Sequence, residues 1–193
     1  MSEVLNTDTL LHAYKTGFFP MADEDNGEIW WHSPDPRAII PLEKVKIPRS
    51  VKKAKKKYNY EIKINCNFEA VVIACSNRDT TWINEDIVEA YSLLNKSGWA
   101  YSVETYFEGE LVGGLYGVVI GGAFFGESMF SNKDAASKVA FFYLIEHLKN
   151  KGFILLDSQY INEHTKFLGA IEIPKIMYLK ILEYAIMLPC RFI

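Results

Sequence analysis

The chain predicts an α+β fold: a small N-terminal module, residues 1–60, precedes a larger domain, residues 61–193, built on a mixed central sheet. Three observations predict it. Pro20, Pro34, Pro36, Pro41 and Pro48 break up the stretch after the first helix, so residues 18–48 hold only loops and short extended pieces. Residues 99–130 read as three consecutive strands. Helical patterns flank that run on both sides, two helices before it and a long helix, a strand and two further helices after it.

Taken in order, Asp8 to Lys15 has helical spacing, with Thr7 or Asp8 as cap and Gly17 as stop. Ser50 to Tyr58 is a basic helix. Tyr60 to Asn65 alternates like a strand. Asn67 and Asn84 can each cap a helix, one running to Cys75 and the other to near Gly98, with Glu85 and Asp86 favourable in the second helix's first turn. Trp99 to Phe107 and Leu111 to Ile120 form a hairpin around Glu108-Gly109, and Ala123 to Phe130 follows Gly121-Gly122 as a third strand. A long helix spans about Asp134 to Asn150, its apolar side set by Val139, Ala140, Tyr143, Leu144 and Leu148. Phe153 to Asp157 is a buried strand, Asn162 to Leu168 a short helix, and Pro174 opens the last helix. This order suits the acyltransferase fold of the GCN5-related N-acetyltransferases, an analogy that carries no chemistry by itself.

With 193 residues, 49% hydrophobic and 23% charged, the chain can bury a core without staples. Met1 to Val4 lacks the basic and apolar regions of a secretory signal, and no apolar run approaches the roughly 18 residues of a membrane span. Cys66, Cys75 and Cys190 fit neither a zinc spacing nor a disulfide framework, so no metal is expected and the reducing cytoplasm is the simplest setting. Charge is uneven. Residues 43–57 carry eight basic side chains and one acid, a local charge of +7 that leaves −10 on the rest of a chain of net charge −3. Such a patch fits a polyanionic partner, or a solvated lysine-rich helix.

Two acids interrupt apolar runs. Glu127 lies within Gly121 to Phe130, and Asp157 ends Phe153 to Leu156. A carboxylate at the end of a buried strand costs free energy unless it is paired or hydrogen-bonded, so each is a structural pair or a site residue. Lys138 and Arg37 are candidate partners for Glu127.

Several segments together resemble the leucyl/phenylalanyl-tRNA–protein transferases. They are Ala13-Tyr14-Lys15-Thr16-Gly17-Phe18-Phe19-Pro20-Met21, Ser33-Pro34-Asp35-Pro36-Arg37 and Thr81-Trp82-Ile83, then Glu104 with Leu111-Val112-Gly113-Gly114-Leu115-Tyr116-Gly117. Gly126-Glu127-Ser128-Met129-Phe130-Ser131, Ala136-Ser137-Lys138, Asp157-Ser158-Gln159, and His164 with Leu168-Gly169-Ala170 complete the set. Two positions depart from the pattern: aligned on Ser33-Pro34, the family's paired Trp reads Trp31-His32, and Tyr101 replaces a common His.

The resemblance implies a small N-terminal domain and an acetyltransferase-like C-terminal domain. It implies transfer of Leu or Phe, and weakly Met, from aminoacyl-tRNA to proteins beginning with Arg or Lys. The product is then marked for degradation. No cofactor is called for, because the ester is already activated. A monomer in the cytoplasm, with no membrane partner, is expected.

The chemistry is aminolysis of an ester. The catalyst must align amine and ester, supply a neutral amine and stabilise an oxyanion. Asp157 and Gln159 are two apart, so on an extended segment both face one way with Ser158 opposite, placed to hold the incoming amine, take its proton and orient its lone pair, the task the resemblance also implies for them. The resemblance implies that Glu127 lines the site near the aminoacyl-adenosine end, where it could accept from the substrate amine or a ribose hydroxyl. Candidates for the apolar pocket are Leu115, Phe124, Phe125, Met129 and Phe130; Asn162 offers a polar contact or caps a helix. Trp31 and Trp82 can stack on the terminal adenine. Arg49, Lys52, Lys53, Lys55, Lys56 and Lys57 are expected on tRNA phosphates, contacts that position without reading sequence. Among competing readings, an acetyl-CoA-dependent acetyltransferase needs a pyrophosphate-binding turn, and Lys166 to Ile171 lacks its last small residue. A non-catalytic RNA-binding module leaves Glu127, Asp157 and Gln159 unexplained.

Overall fold

The computed structural model describes residues 5–23, 26–77 and 81–193. The N-terminal residues read above for a signal lie outside them. Helix α1 (Thr7–Lys15) is capped by Asn6, one place before the expected cap, whose side chain accepts from Thr9 N. It buries Leu10, Leu11, Ala13 and Tyr14. Strands β1 (Phe19–Ala22) and β2 (Ile29–His32) form a small antiparallel pair.

Strand β3 (Arg37–Ile39) is fully buried and joins the large sheet, although it falls within the N-terminal module drawn from sequence. It pairs on both edges, which three residues between prolines do not announce. The basic helix α2 (Arg49–Tyr58) packs through Val51 and Ala54 and exposes its lysines.

Among the described residues the large sheet has the order β4-β5-β6-β7-β8-β3-β9. Here β4 is Glu61–Ile64, β5 Ala100–Phe107, β6 Glu110–Ile120, β7 Ala123–Ser131, β8 Leu155–Gln159 and β9 Ile171–Ile173. All neighbours are antiparallel except β7 and β8. The short, mostly exposed edge strand β9 was not expected; its Ile-Glu-Ile alternation is only three residues long, too short to stand out.

Helices α3 (Phe68–Ser76) and α4 (Glu85–Lys96) cover one face, and α5 (Ala136–Asn150) the other. Asn84 caps α4 as expected. Asn67 does not use its side chain; instead buried Glu104 accepts from the backbone N–H groups of Cys66 and Asn67 at the start of α3. Ser102 and Tyr106 donate to the same carboxylate, so its burial is compensated. Helix α5 crosses β6 at Gly113, where a Cβ would stand 2.5 Å from that of Ala136; only glycine permits this approach.

Helices α6 (Glu163–Phe167) and α7 (Lys175–Ala185) close the chain. Asn162 caps α6 in a capping box with Thr165. The backbone N–H of Lys175 donates to Asp35, and its ammonium to the Ser33 carbonyl, so the Ser33 to Arg37 segment anchors α7. No helix among the described residues is long and apolar enough to cross a membrane.

Candidate active site

The site follows from how two parallel strands part. β7 and β8 are paired only over Ala123–Phe125 and Leu155–Asp157. Beyond Asp157 they separate, and a cavity of about 530 Å³ opens between them. That is ample for an amino-acid side chain. Its apolar part is lined by Ile40, Leu115, Phe124, Phe141, Leu144, Leu156 and Leu168, and Met21 and Trp82 also border it. Ser128, Ser158, Asn162, His164 and Thr165 add polar atoms.

Glu127 reaches the cavity because β7 bulges. Tyr116 pairs with Ser128 and Gly117 with Gly126, leaving Glu127 unpaired between them. A bulge re-aims the extra residue's side chain. The Glu127 carboxylate accepts from Tyr14 at 2.7 Å, Tyr91 at 3.2 Å and the Gln159 amide at 3.1 Å. Burial pushes its pKa up to about 7, against those three hydrogen bonds, which lower it; the Asp157 charge adds to the rise. Neither Lys138 nor Arg37 pairs with it: Lys138 lies over the Phe167 ring and Arg37 holds Asp157.

Asp157 is completely buried and fully engaged. Its Oδ1 accepts from Arg37 Nε at 2.9 Å and from the backbone N–H of Gln159 at 2.9 Å. Its Oδ2 accepts from Arg37 Nη2 at 2.6 Å and from Tyr178 at 2.7 Å. A carboxylate offers about four acceptor positions, and all are filled. Arg37 lies between the rings of Phe19 and Tyr178, 4.6 Å from each centroid, and also donates to the Gly17 carbonyl. Burial works to lower the guanidinium pKa, but the Asp157 charge and hydrogen bond raise it on balance. One cation thus ties β8 to the segment after α1.

Gln159 corrects the same-face expectation. Its φ is +63°, left-handed rather than extended, so the two-residue alternation ends there. Asp157 and Gln159 meet through backbone N–H and carboxylate, while the Gln159 side chain turns to Glu127. Ser158, expected on the far side, also borders the cavity.

Of the other candidates, Leu115, Met129, Trp82 and Asn162 line the cavity, and Met129 Sδ lies 3.0 Å from His164 Nε2. Phe125 does not line it. It is core, 0% exposed and packed on Tyr14 at 4.9 Å, because alternation turns it away from the face that Phe124 presents. Trp31 does not line it either; in β2 it lies opposite Pro20 and borders a separate groove with Trp30 between α1 and α4. The basic side chains of α2 are exposed, and Lys52, Lys55 and Lys56 rim a hollow against α5. Tyr14, Tyr91, Tyr178 and the role of Arg37 were missed. Tyr14 and Tyr91 are 77 residues apart and each reads as an apolar helix position, so only the fold joins them.

Residues 39–183 match the family model described as leucyl/phenylalanyl-tRNA protein transferase, and residues 3–35 match the model of that enzyme's N-terminal domain. The leucyl/phenylalanyl-tRNA–protein transferase of Gloeobacter violaceus is 47% identical over 192 residues, covering 100% of both chains. That of Chlorobium luteolum is 44% identical over 95% of this chain and 96% of its own. A GCN5-related N-acetyltransferase-like protein from Streptococcus suis aligns at 14% identity with a TM-score of 0.41, over 86% of this chain and 64% of its own. The chain belongs to the leucyl/phenylalanyl-tRNA–protein transferase family and is an aminoacyltransferase that moves an aminoacyl group from tRNA to protein.

Proposed function

We propose that the chain transfers Leu or Phe, and weakly Met, from aminoacyl-tRNA to proteins whose first residue is Arg or Lys, creating a degradation signal. The observation that carries this reading is the wedge between β7 and β8, where Glu127, Asp157 and Gln159 meet one apolar cavity. An apolar side chain such as that of Leu, Phe or Met fits its lining; a charged one would be buried without a partner. Asp157 is an orienting group in this reading. Its four acceptor positions are filled, so it fixes Gln159 rather than taking a proton. Gln159 and Glu127 hold the reacting amine and ester together. Trp82 at the border is the ring that stacks on the terminal adenine.

The exposed face of α2, from Arg49 to Lys57, takes phosphates of the acceptor arm. The acidic remainder of the chain favours a cationic acceptor. The enzyme acts as a monomer in the cytoplasm and uses no cofactor. The test is transfer of labelled Leu from Leu-tRNA to an Arg-starting peptide, with acetyl-CoA as control donor. Acetylation in place of leucylation contradicts the reading.

A further inference from the structure

The Glu127 carboxylate and the Tyr14 and Tyr91 hydroxyls form a closed triangle of groups. Tyr14 touches Glu127 Oε1, Tyr91 touches Oε2, and the two hydroxyls touch each other. Each phenol owns one hydrogen. With Glu127 ionised, two hydrogens serve three oxygen–oxygen contacts, so one contact faces lone pair to lone pair. One added proton on Glu127 supplies the missing hydrogen and lets all three contacts be hydrogen bonds. We propose that this triangle is the proton acceptor of the transfer reaction, with Glu127 as the catalytic base and Tyr14 and Tyr91 as positioning residues.

The surroundings agree. Both phenols are held well above their ordinary pKa, first by burial and then by the Glu127 charge, so neither gives up its hydrogen at neutral pH. The carboxyl itself is pushed up to about 7, within reach of an α-amine at about 7.7–8.0. The groups facing it are Tyr14 from α1, Tyr91 from α4, and Gln159 and Asp157 from β8; Tyr116 of β6 acts on Tyr91, and Arg37 of β3 is occupied by Asp157. Asp157, by contrast, has no acceptor position left.

The step balances. The α-amine nitrogen bonds to the ester carbonyl carbon, and its surplus proton passes to the Glu127 carboxylate. The bond from that carbon to the ribose 3′-oxygen breaks, and the departing oxygen takes the proton back. Amine and ester become amide and hydroxyl, and the triangle is restored. The arrangement also gives the N-terminal module a share in the chemistry, because Tyr14 comes from α1.

This inference rests on the proposed transfer, and two readouts keep them apart. The first is infrared titration of the free enzyme. A protonated-carboxyl band is expected to vanish as pH rises through about 7 and to be absent in Glu127→Gln. Its midpoint moves in Tyr14→Phe and in Tyr91→Phe, since each opens the triangle. If the band that Glu127→Gln removes titrates near 4, like an ordinary carboxylate, the proposal is overturned. The second is single-turnover transfer at saturating aminoacyl-tRNA and Arg-starting peptide. Glu127→Gln should lose about 10²–10⁴-fold, and the loss should persist near pH 9, where the acceptor amine is already neutral. A maximal rate within about threefold of wild type, with the loss confined to the acceptor KM, overturns it too. If the wild-type enzyme transfers nothing to that peptide, the transfer reading fails, while the infrared titration still decides the triangle.

Discussion

Arg37 and Asp157 form a bidentate ion pair, 1% and 0% exposed, that links β3 to β8 beneath the cavity. Removing one member of such a pair leaves the other charged and buried, which costs about 3–5 kcal/mol. Arg37→Ala should therefore lower unfolding free energy by about that amount in urea denaturation. It should also cut transfer, because Asp157 would no longer be fixed under Gln159. A variant as stable as wild type would show that the pair is not what holds β8.

The pair also shows what a sequence conceals. Asp157, Gln159 and Glu127 stand out because an acid or amide ends or breaks an apolar run, and the structure brings all three to one cavity. The hairpin at Glu108-Gly109 and the caps at Asn84 and Asn162 were equally legible, since turn and cap chemistry is local. What failed was non-local. Arg37 sits 120 residues from Asp157, and a three-residue strand between prolines has too few positions for a periodicity to show. The bulge at Glu127 shifts the register of β7, so alternation could not say which of Phe124 and Phe125 faces the cavity. Trp31 was chosen for its ring and its place before Ser33-Pro34, and neither fixes which groove it borders.

Stability should depend on Glu127 in a definite direction. Its folded-state pKa, about 7, lies above the ordinary value of 4.5, so the native chain binds the extra proton between those values. Stability then falls as pH rises through that window, by at most about 1.4 kcal/mol per pH unit, and levels off above it. Glu127→Gln removes this slope. The variant should gain stability relative to wild type between about pH 5 and pH 8, read by thermal or urea denaturation. Parallel stability–pH curves for the two proteins would contradict it.

The basic helix should act through charge alone. Replacing Lys52, Lys53, Lys55, Lys56 and Lys57 with Gln should weaken binding of charged tRNA. It should also flatten the dependence of log affinity on log salt by roughly 0.7–0.9 per lost phosphate contact. An aminoacyl-adenosine analogue, which fills the cavity without an acceptor arm, should bind as before. The measurement is a salt titration of both ligands. An unchanged slope for tRNA would mark α2 as a solvated face.

The most direct test of the central claim is a matrix of charged tRNAs against acceptor peptides. A cavity lined by Leu115, Phe124, Phe141, Leu144 and Leu156 discriminates between apolar side chains by only about 1–3 kcal/mol per methylene, so Leu and Phe should transfer well and Met weakly. Asp and Glu should not transfer, because their charge would be buried unpaired. Arg- and Lys-starting peptides should accept, and Ala- and Glu-starting ones should not. Efficient transfer of Asp or Glu, or indifference to the acceptor's first residue, would contradict this account.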